Sequence, residues 1–153
     1  MLKKASVDDL KSGAITRATS YIVITMCHYP RGIRKELSDE YVKALAPDPG
    51  LLKDFQNEKK RREGSHNAAF ACVHYEQRFK LEPEGIAELR RLAGLSGERD
   101  VTFVCQCAAD ERCHRELLLI LARQWYGAKT EIRRFSYPLF ERRIPEKEGP
   151  LKS

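Results

Sequence analysis

Residues 101–126 constrain this chain more than any other stretch. Val101-Thr-Phe-Val-Cys105 is β-branched and aromatic, Cys107 follows two residues later, and a short polar turn comes next. Cys113-His114-Arg115 then opens a strongly apolar helix through Leu117-Leu-Leu-Ile-Leu-Ala122 to Trp125 and Tyr126. A buried strand feeding a buried helix is the repeating unit of α/β architecture. Three of the five cysteines and one of the four histidines fall inside ten residues at that junction. If the protein has a reaction centre, it is expected there.

Cys105 and Cys107, two apart on a strand, point to one side while Gln106 points to the other. The turn Ala108–Arg112 is long enough to bring Cys113 back to the strand end. At helical spacing Cys113, Leu117, Leu121 and Trp125 share a face, so Arg115 should point away from it and reach across the strand ends. A helix beginning near residues 110–113 turns its free N–H groups and positive dipole end toward the same place. That end attracts anions and makes a cysteine there partly thiolate.

Four readings of this cluster stay open. Buried cysteines, a first-turn histidine and a surface arginine can be plain structure. A thiolate or anion-binding active site would use Cys113 with Cys105, His114 and Arg115. A phosphatase-type loop is absent, because the positions six after Cys105 and Cys107 hold Glu111 and Cys113. A zinc site could draw on Cys105, Cys107, Cys113 and His114, but the spacing matches no known knuckle, and neighbouring residues on a helix project differently. A Cys105–Cys113 or Cys107–Cys113 disulfide could sense redox state.

The remainder supplies the frame. Tyr21–Cys27 is nearly continuously apolar, as a strand buried on both faces of a parallel sheet would be. It ends in His28-Tyr-Pro-Arg-Gly-Ile-Arg-Lys35, a loop whose Arg31 and Gly32 suit an anion clamp, with His28 facing the cysteine junction if the two strands are neighbours. Ser38–Leu45 predicts a short helix, Leu51 onward a second, and 58–65 an exposed connection. His66–Phe79 and Pro83–Leu95 read as helices, with His66 and His74 as surface histidines on the first. Thr130–Ser136 alternates like a third strand, and a fourth is expected within 13–19 or 135–140.

These elements predict one α/β domain over 1–153, with a core at about 20–137 and a tail from 138, in which Leu139 and Phe140 can dock and the last ten residues are loose. Its sheet is small and mainly parallel, has helices on both faces, and carries a helical insertion between the first and second core strands. No apolar run approaches the ~20 residues of a membrane helix, and the N-terminus has no signal-peptide core, so a cytoplasmic protein with reduced thiols is expected. The net charge of +6 permits an acidic partner, although glutamates punctuate each basic cluster.

Two stretches resemble the family called domain of unknown function 488. Tyr29-Pro-Arg-Gly-Ile-Arg-Lys35, with Val42-Lys-Ala-Leu-Ala-Pro47 and Leu51-Leu-Lys-Asp-Phe55, is similar to its Trp-Pro-Arg-Gly loop and Leu-Ala-Pro segment. Val101–Arg115 is similar to its strand, cysteine and Cys-His-Arg triplet, and the likeness runs from about 20 to 135. Tyr29 stands for the usual tryptophan, Met26 near a frequent acid, and Cys107 where glutamate is common. The resemblance implies an α/β domain and no established reaction.

The combined expectation is a small-molecule enzyme acting on an anionic ligand, a nucleotide or other phosphorylated compound. Cys113, Cys105 and His114 would be catalytic, and Arg31, Arg115, Gly32 and His28 would bind the anion. The sequence indicates no cofactor, metal or membrane, and leaves the oligomeric state open. A basic nucleic-acid-binding or adaptor module ranks second, and a zinc-stabilised structural domain third.

Overall fold

A computed structural model describes residues 1–152. Four strands form one parallel sheet: β1 (Leu2–Ser6), β2 (Tyr21–Ile24), β3 (Glu40–Tyr41) and β4 (Val101–Cys105), in the order β1-β4-β2-β3. The last strand in sequence thus lies inside the sheet. Its five residues are all buried, which accounts for the unbroken apolar run.

Alternation along the strands sorts the core into two faces. Leu2, Val23, Val101 and Phe103 face one side. Helices α2 (Pro49–Arg61), α3 (His66–Cys72), α4 (Tyr75–Arg78), α5 (Pro83–Leu95), α6 (His114–Tyr126) and α7 (Pro138–Glu141) cover it. Ala5, Ile22, Ile24 and Val104 face the other side, under α1 (Val7–Ser12) and Ile33 of the loop after β2. Helices therefore flank both faces, as the sequence predicts, although α1 covers one face alone.

Several expectations need correction. The fourth strand is Leu2–Ser6, outside the anticipated core and in neither of the expected places. Its Lys3 and Lys4 disguise a short edge strand. Ser6 then caps α1 through a reciprocal capping box with Asp9. Thr130–Ser136 is no strand: only Thr130 bridges to Leu2, and Ile132 stands 96% exposed. Ser38–Leu45 is no α-helix, because Asp39 and Val42 N–H groups bond to Ile22 and Ile24 carbonyls and extend the sheet. Two single 3-10 turns, Lys35–Leu37 and Lys43–Leu45, flank that edge.

The first half of the expected connection at 58–65 is the last turn of α2, held by Glu58 to Arg61 and Arg62 at 3.1 Å, and the rest is exposed turn. His66–Phe79 is two helices, broken where His74 takes φ +57°. In the tail Phe140 is fully buried, and Arg143 Nη1 donates to the Glu76 and Phe79 carbonyls at 2.6 and 3.1 Å; further on, Lys152 N–H donates to the Arg143 carbonyl at 2.8 Å and Trp125 Nε1 to the Pro145 carbonyl at 3.3 Å. None of the helices is long and apolar enough to cross a membrane among the described residues.

Candidate active site: a buried thiol cluster

The carboxyl ends of β2 and β4 converge on a cavity of about 270 Å³. Cys105 and Cys107 reach it from the end of β4, and Cys113 and His114 from the start of α6. Met26, Cys27 and His28 come from the chain leaving β2. Phe55, Phe70 and Tyr75, from three helices of the insertion, supply an aromatic wall. Tyr75 stacks on Phe70 with centroids 4.3 Å apart.

Cys113 is the residue everything else in the cluster touches. It is the N-cap of α6, extended at φ −154°, and its side chain makes no capping bond. Its Sγ lies 3.0 Å from Cys105 Sγ and 3.4 Å from His114 Nδ1. The extended cap residue lets neighbouring Cys113 and His114 meet, which two helical residues could not do. Arg115 Nε donates to the same sulfur at 3.4 Å.

Arg115 runs behind the cavity, as the helical spacing predicts, and crosses the strand ends. Its Nη2 donates to the Cys107 carbonyl at 2.9 Å, and its Nη1 donates to the Ala5 carbonyl at the end of β1. The side chain is 1% exposed, yet its hydrogen-bond partners are two carbonyls and a sulfur. A guanidinium so buried calls for a counter-charge. A Cys113 thiolate is the group in position to supply it.

The electrostatics agree. Burial opposes ionisation of Cys113, but hydrogen bonds from Cys105 and Cys107, with the charges of Arg115 and His114, hold it well below the ordinary thiol range. Burial, together with the adjacent Cys113, pushes Cys105 up to about 12. Cys107 is also raised, chiefly through its hydrogen bonds with the other two thiols. One proton-deficient sulfur sits among proton-rich ones.

A second buried network fixes the cap. Cys113 N–H donates to Tyr137 Oη at 3.3 Å, and Tyr137 Oη–H donates to Glu116 Oε1 at 2.7 Å. Glu116 is fully buried, accepts from Arg134 N–H at 2.6 Å, and lies 3.1 Å from Lys4 Nζ. Burial and the Glu116 hydrogen bond raise the Tyr137 phenol far above its usual range.

Of the expected site residues, Cys105, Cys113, His114 and His28 line the cavity, and Arg115 backs it. Arg31 and Gly32 do not line it. Their loop turns toward α1: Ile33 packs against that helix's core, and Gly32 takes φ +76° beside Lys11. That backbone conformation is what glycine supplies there. Arg112 lines the cavity instead, with its guanidinium 4.7 Å from the Phe135 ring centroid and donating to the Ser136 carbonyl at 2.8 Å.

Sequence reasoning missed Arg112, His66, Tyr137 and Glu116. The buried helix face carrying Phe55 marks the aromatic wall. For His66, 7% exposed and bonded through Nε2 to the Arg112 carbonyl at 2.7 Å, no local pattern gives a signal.

Cys105, Cys113 and His114 are close enough to share a metal. Two sulfurs on one zinc, at about 2.3 Å each in a tetrahedron, would stand roughly 3.7 Å apart. The 3.0 Å separation is a direct sulfur-to-sulfur contact, closer than two sulfurs on one zinc would stand.

Fold and site together define an α/β protein with a cysteine-lined pocket at the carboxyl ends of a parallel sheet. The chain belongs to the DUF488 family: the model DUF488-N3a, described as the active DUF488-N3 subclade, matches residues 10–125. That span includes both the Pro-Arg-Gly loop and the Cys-His-Arg triplet. No curated protein and no solved structure matches the chain.

Proposed function

We propose that the chain is a small-molecule enzyme whose nucleophile is the Cys113 thiolate. The observation that carries this reading is the single sulfur at a helix N-terminus, on a cavity wall, within 3.4 Å of Cys105, His114 and Arg115. His114 Nε2 lies 2.7 Å from the Thr25 carbonyl, so in the neutral ring Nε2 carries the proton and Nδ1 the lone pair. Nδ1 then takes the Cys113 proton, leaving thiolate and imidazolium side by side. Arg115 stabilises the sulfur's charge without entering the cavity. Cys105, held protonated, donates to it and is the nearest acid.

The ligand is a small anionic compound with an apolar or planar part. Arg112 and His28 give the walls their positive or donor groups, and Phe55, Phe70 and Tyr75 give the apolar remainder. Nucleotides and other phosphorylated compounds are the class to test first. The name of the matched model, which calls its subclade active, is in keeping with catalysis.

A nucleic-acid module draws less support, since part of each basic cluster is paired with a carboxylate or a carbonyl. Arg61 and Arg62 pair with Glu58, Arg133 with Glu141, and Arg143 with backbone carbonyls. The test is ligand protection of Cys113 against alkylation across a panel of phosphorylated compounds. A protecting compound that is also turned over by the native chain and not by Cys113→Ala supports the reading. Steep, salt-sensitive binding of generic RNA or DNA, with no protection by any small anion, would replace it with the rival.

A further inference from the structure

We propose that His66, Cys107 and Glu111 form a divalent-metal site of the zinc class on the cavity wall, beside the Cys113 cluster and sharing Cys107 with it. The three donors come from three places: the first residue of α3, the exit from β4, and the turn before α6. Their ligand atoms nevertheless lie within 4.8 Å of one another.

His66 is the strongest evidence. Its side chain is 6% exposed, and Nε2 is committed to the Arg112 carbonyl at 2.7 Å. In the neutral ring Nδ1 therefore carries a lone pair. That atom is buried, makes no hydrogen bond, and sits 3.1 Å from Glu111 Oε2. A buried acceptor without a partner is costly. A histidine nitrogen and a carboxylate oxygen on one tetrahedral zinc, with bonds of about 2.0–2.2 Å, stand roughly 3.3 Å apart. With both ring nitrogens facing oxygen acceptors, Nδ1 and Oε2 need a proton or a metal between them, and their separation is the one two ligands of a common ion would take.

The supporting contacts fit as well. Metal-bound histidines typically donate their other ring N–H to a carbonyl, and His66 does so. Glu111 Oε1 accepts from Ala108 N–H at 2.7 Å, which orients the carboxylate and leaves Oε2 free of that bond. Asn67 fixes the turn to α3: its Oδ1 accepts from Arg112 N–H at 2.8 Å and its Nδ2 donates to the Asp110 carbonyl at 3.3 Å. Lys59 Nζ, 4.0 Å from Oε2 and 40% exposed, can turn into solvent.

The donor set selects the ion. A thiolate with an imidazole and one carboxylate suits zinc and excludes the hard, all-oxygen preferences of calcium and magnesium. Binding releases the Cys107 thiol proton to solvent, and the thiolate and carboxylate together neutralise the dication. Three protein ligands leave one position for water or for an anion entering the cavity. His66 and Cys107 both line that cavity.

The test is titration of the chelator-treated full chain with Co²⁺, read by tetrahedral d–d absorption and thiolate-to-cobalt charge transfer, then displacement by Zn²⁺. One Co²⁺ per chain is expected. Cys107→Ser should abolish the charge-transfer band, Glu111→Gln should weaken binding about tenfold or more, and Cys113→Ala should leave the band in place. Absence of a band at one equivalent overturns the proposal. So does a band that survives Cys107→Ser, or one lost in Cys113→Ala. If Cys107→Ser fails to fold by circular dichroism, Glu111→Gln decides, and unchanged affinity there overturns it. Alkylation of Cys113 is read separately, so either reading can fail alone.

Discussion

Arg115 aims its Nε at the sulfur of Cys113 from 3.4 Å while almost wholly excluded from water. The two residues depend on each other: the guanidinium needs the negative sulfur, and the sulfur needs a fixed positive charge to ionise in a buried place. Arg115→Leu should move the pH profile of Cys113 alkylation upward by about one unit or more, the size of the lost differential interaction with the guanidinium. It should also destabilise the fold by about 1–3 kcal/mol for each of the Ala5 and Cys107 carbonyls left unpaired. Arg115→Lys should reverse part of that shift but not restore the stability, because an ammonium cannot span both carbonyls. Alkylation kinetics and urea denaturation read the two effects.

Tyr137 links the cap of α6 to the buried Glu116. Tyr137→Phe keeps the ring against Phe70 but removes the hydroxyl that satisfies both Cys113 N–H and Glu116 Oε1. A loss of about 1–3 kcal/mol is expected from urea unfolding. No change in midpoint would mean that water replaces the hydroxyl.

At the other end of the sheet Arg91 grips Glu40 with two bonds, at 2.6 and 2.9 Å. The Arg91 hydrogen bonds, assisted by Tyr21 and opposed by burial, hold the Glu40 carboxyl below its ordinary value. A carboxyl with a lowered folded pKa stabilises above its unfolded value, about 4.3. That contribution is lost as pH falls through the folded value. The stability difference between the native chain and Glu40→Gln should therefore be largest at neutral pH and shrink below pH ~4.3. A difference that is flat with pH would sink the argument.

How much of this was legible in the sequence depended on whether a signal was local. The strand at Val101 and the helix His114–Tyr126 carry dense apolar patterning, and they fold as expected with a polar turn between them. So does Pro83–Leu95, bounded by a first-turn proline. The edge strands escaped notice because their identity lies in their partners: Leu2–Ser6 pairs with Val101–Cys105 across about a hundred residues. The thiol cluster was legible from its spacing, because strand alternation and a helix start fix where those sulfurs point. Arg31 was not, because the side of the sheet a loop turns to depends on what it packs beneath, here Ile33 against the α1 face.

His74 shows a strained position with a simple remedy. It joins α3 to α4 at φ +57°, a conformation costing a side-chain-bearing residue about 1–2 kcal/mol. His74→Gly should raise the thermal midpoint, the relief offset in part by the added flexibility of the unfolded chain. A lower midpoint would show that the His74 side chain contributes more than its backbone costs.

The central claim is that Cys113 is the ionised thiol of this chain. It is tested most directly by iodoacetamide alkylation at pH 7 of the native protein, with each cysteine followed by peptide mass mapping. The account predicts that Cys113, although as buried as Cys105 and Cys27, reacts faster than a free thiol through the cavity, while those two, whose thiols burial pushes up, stay unmodified until the protein unfolds. A Cys113 that labels no faster than a free thiol, or only on unfolding, would contradict it.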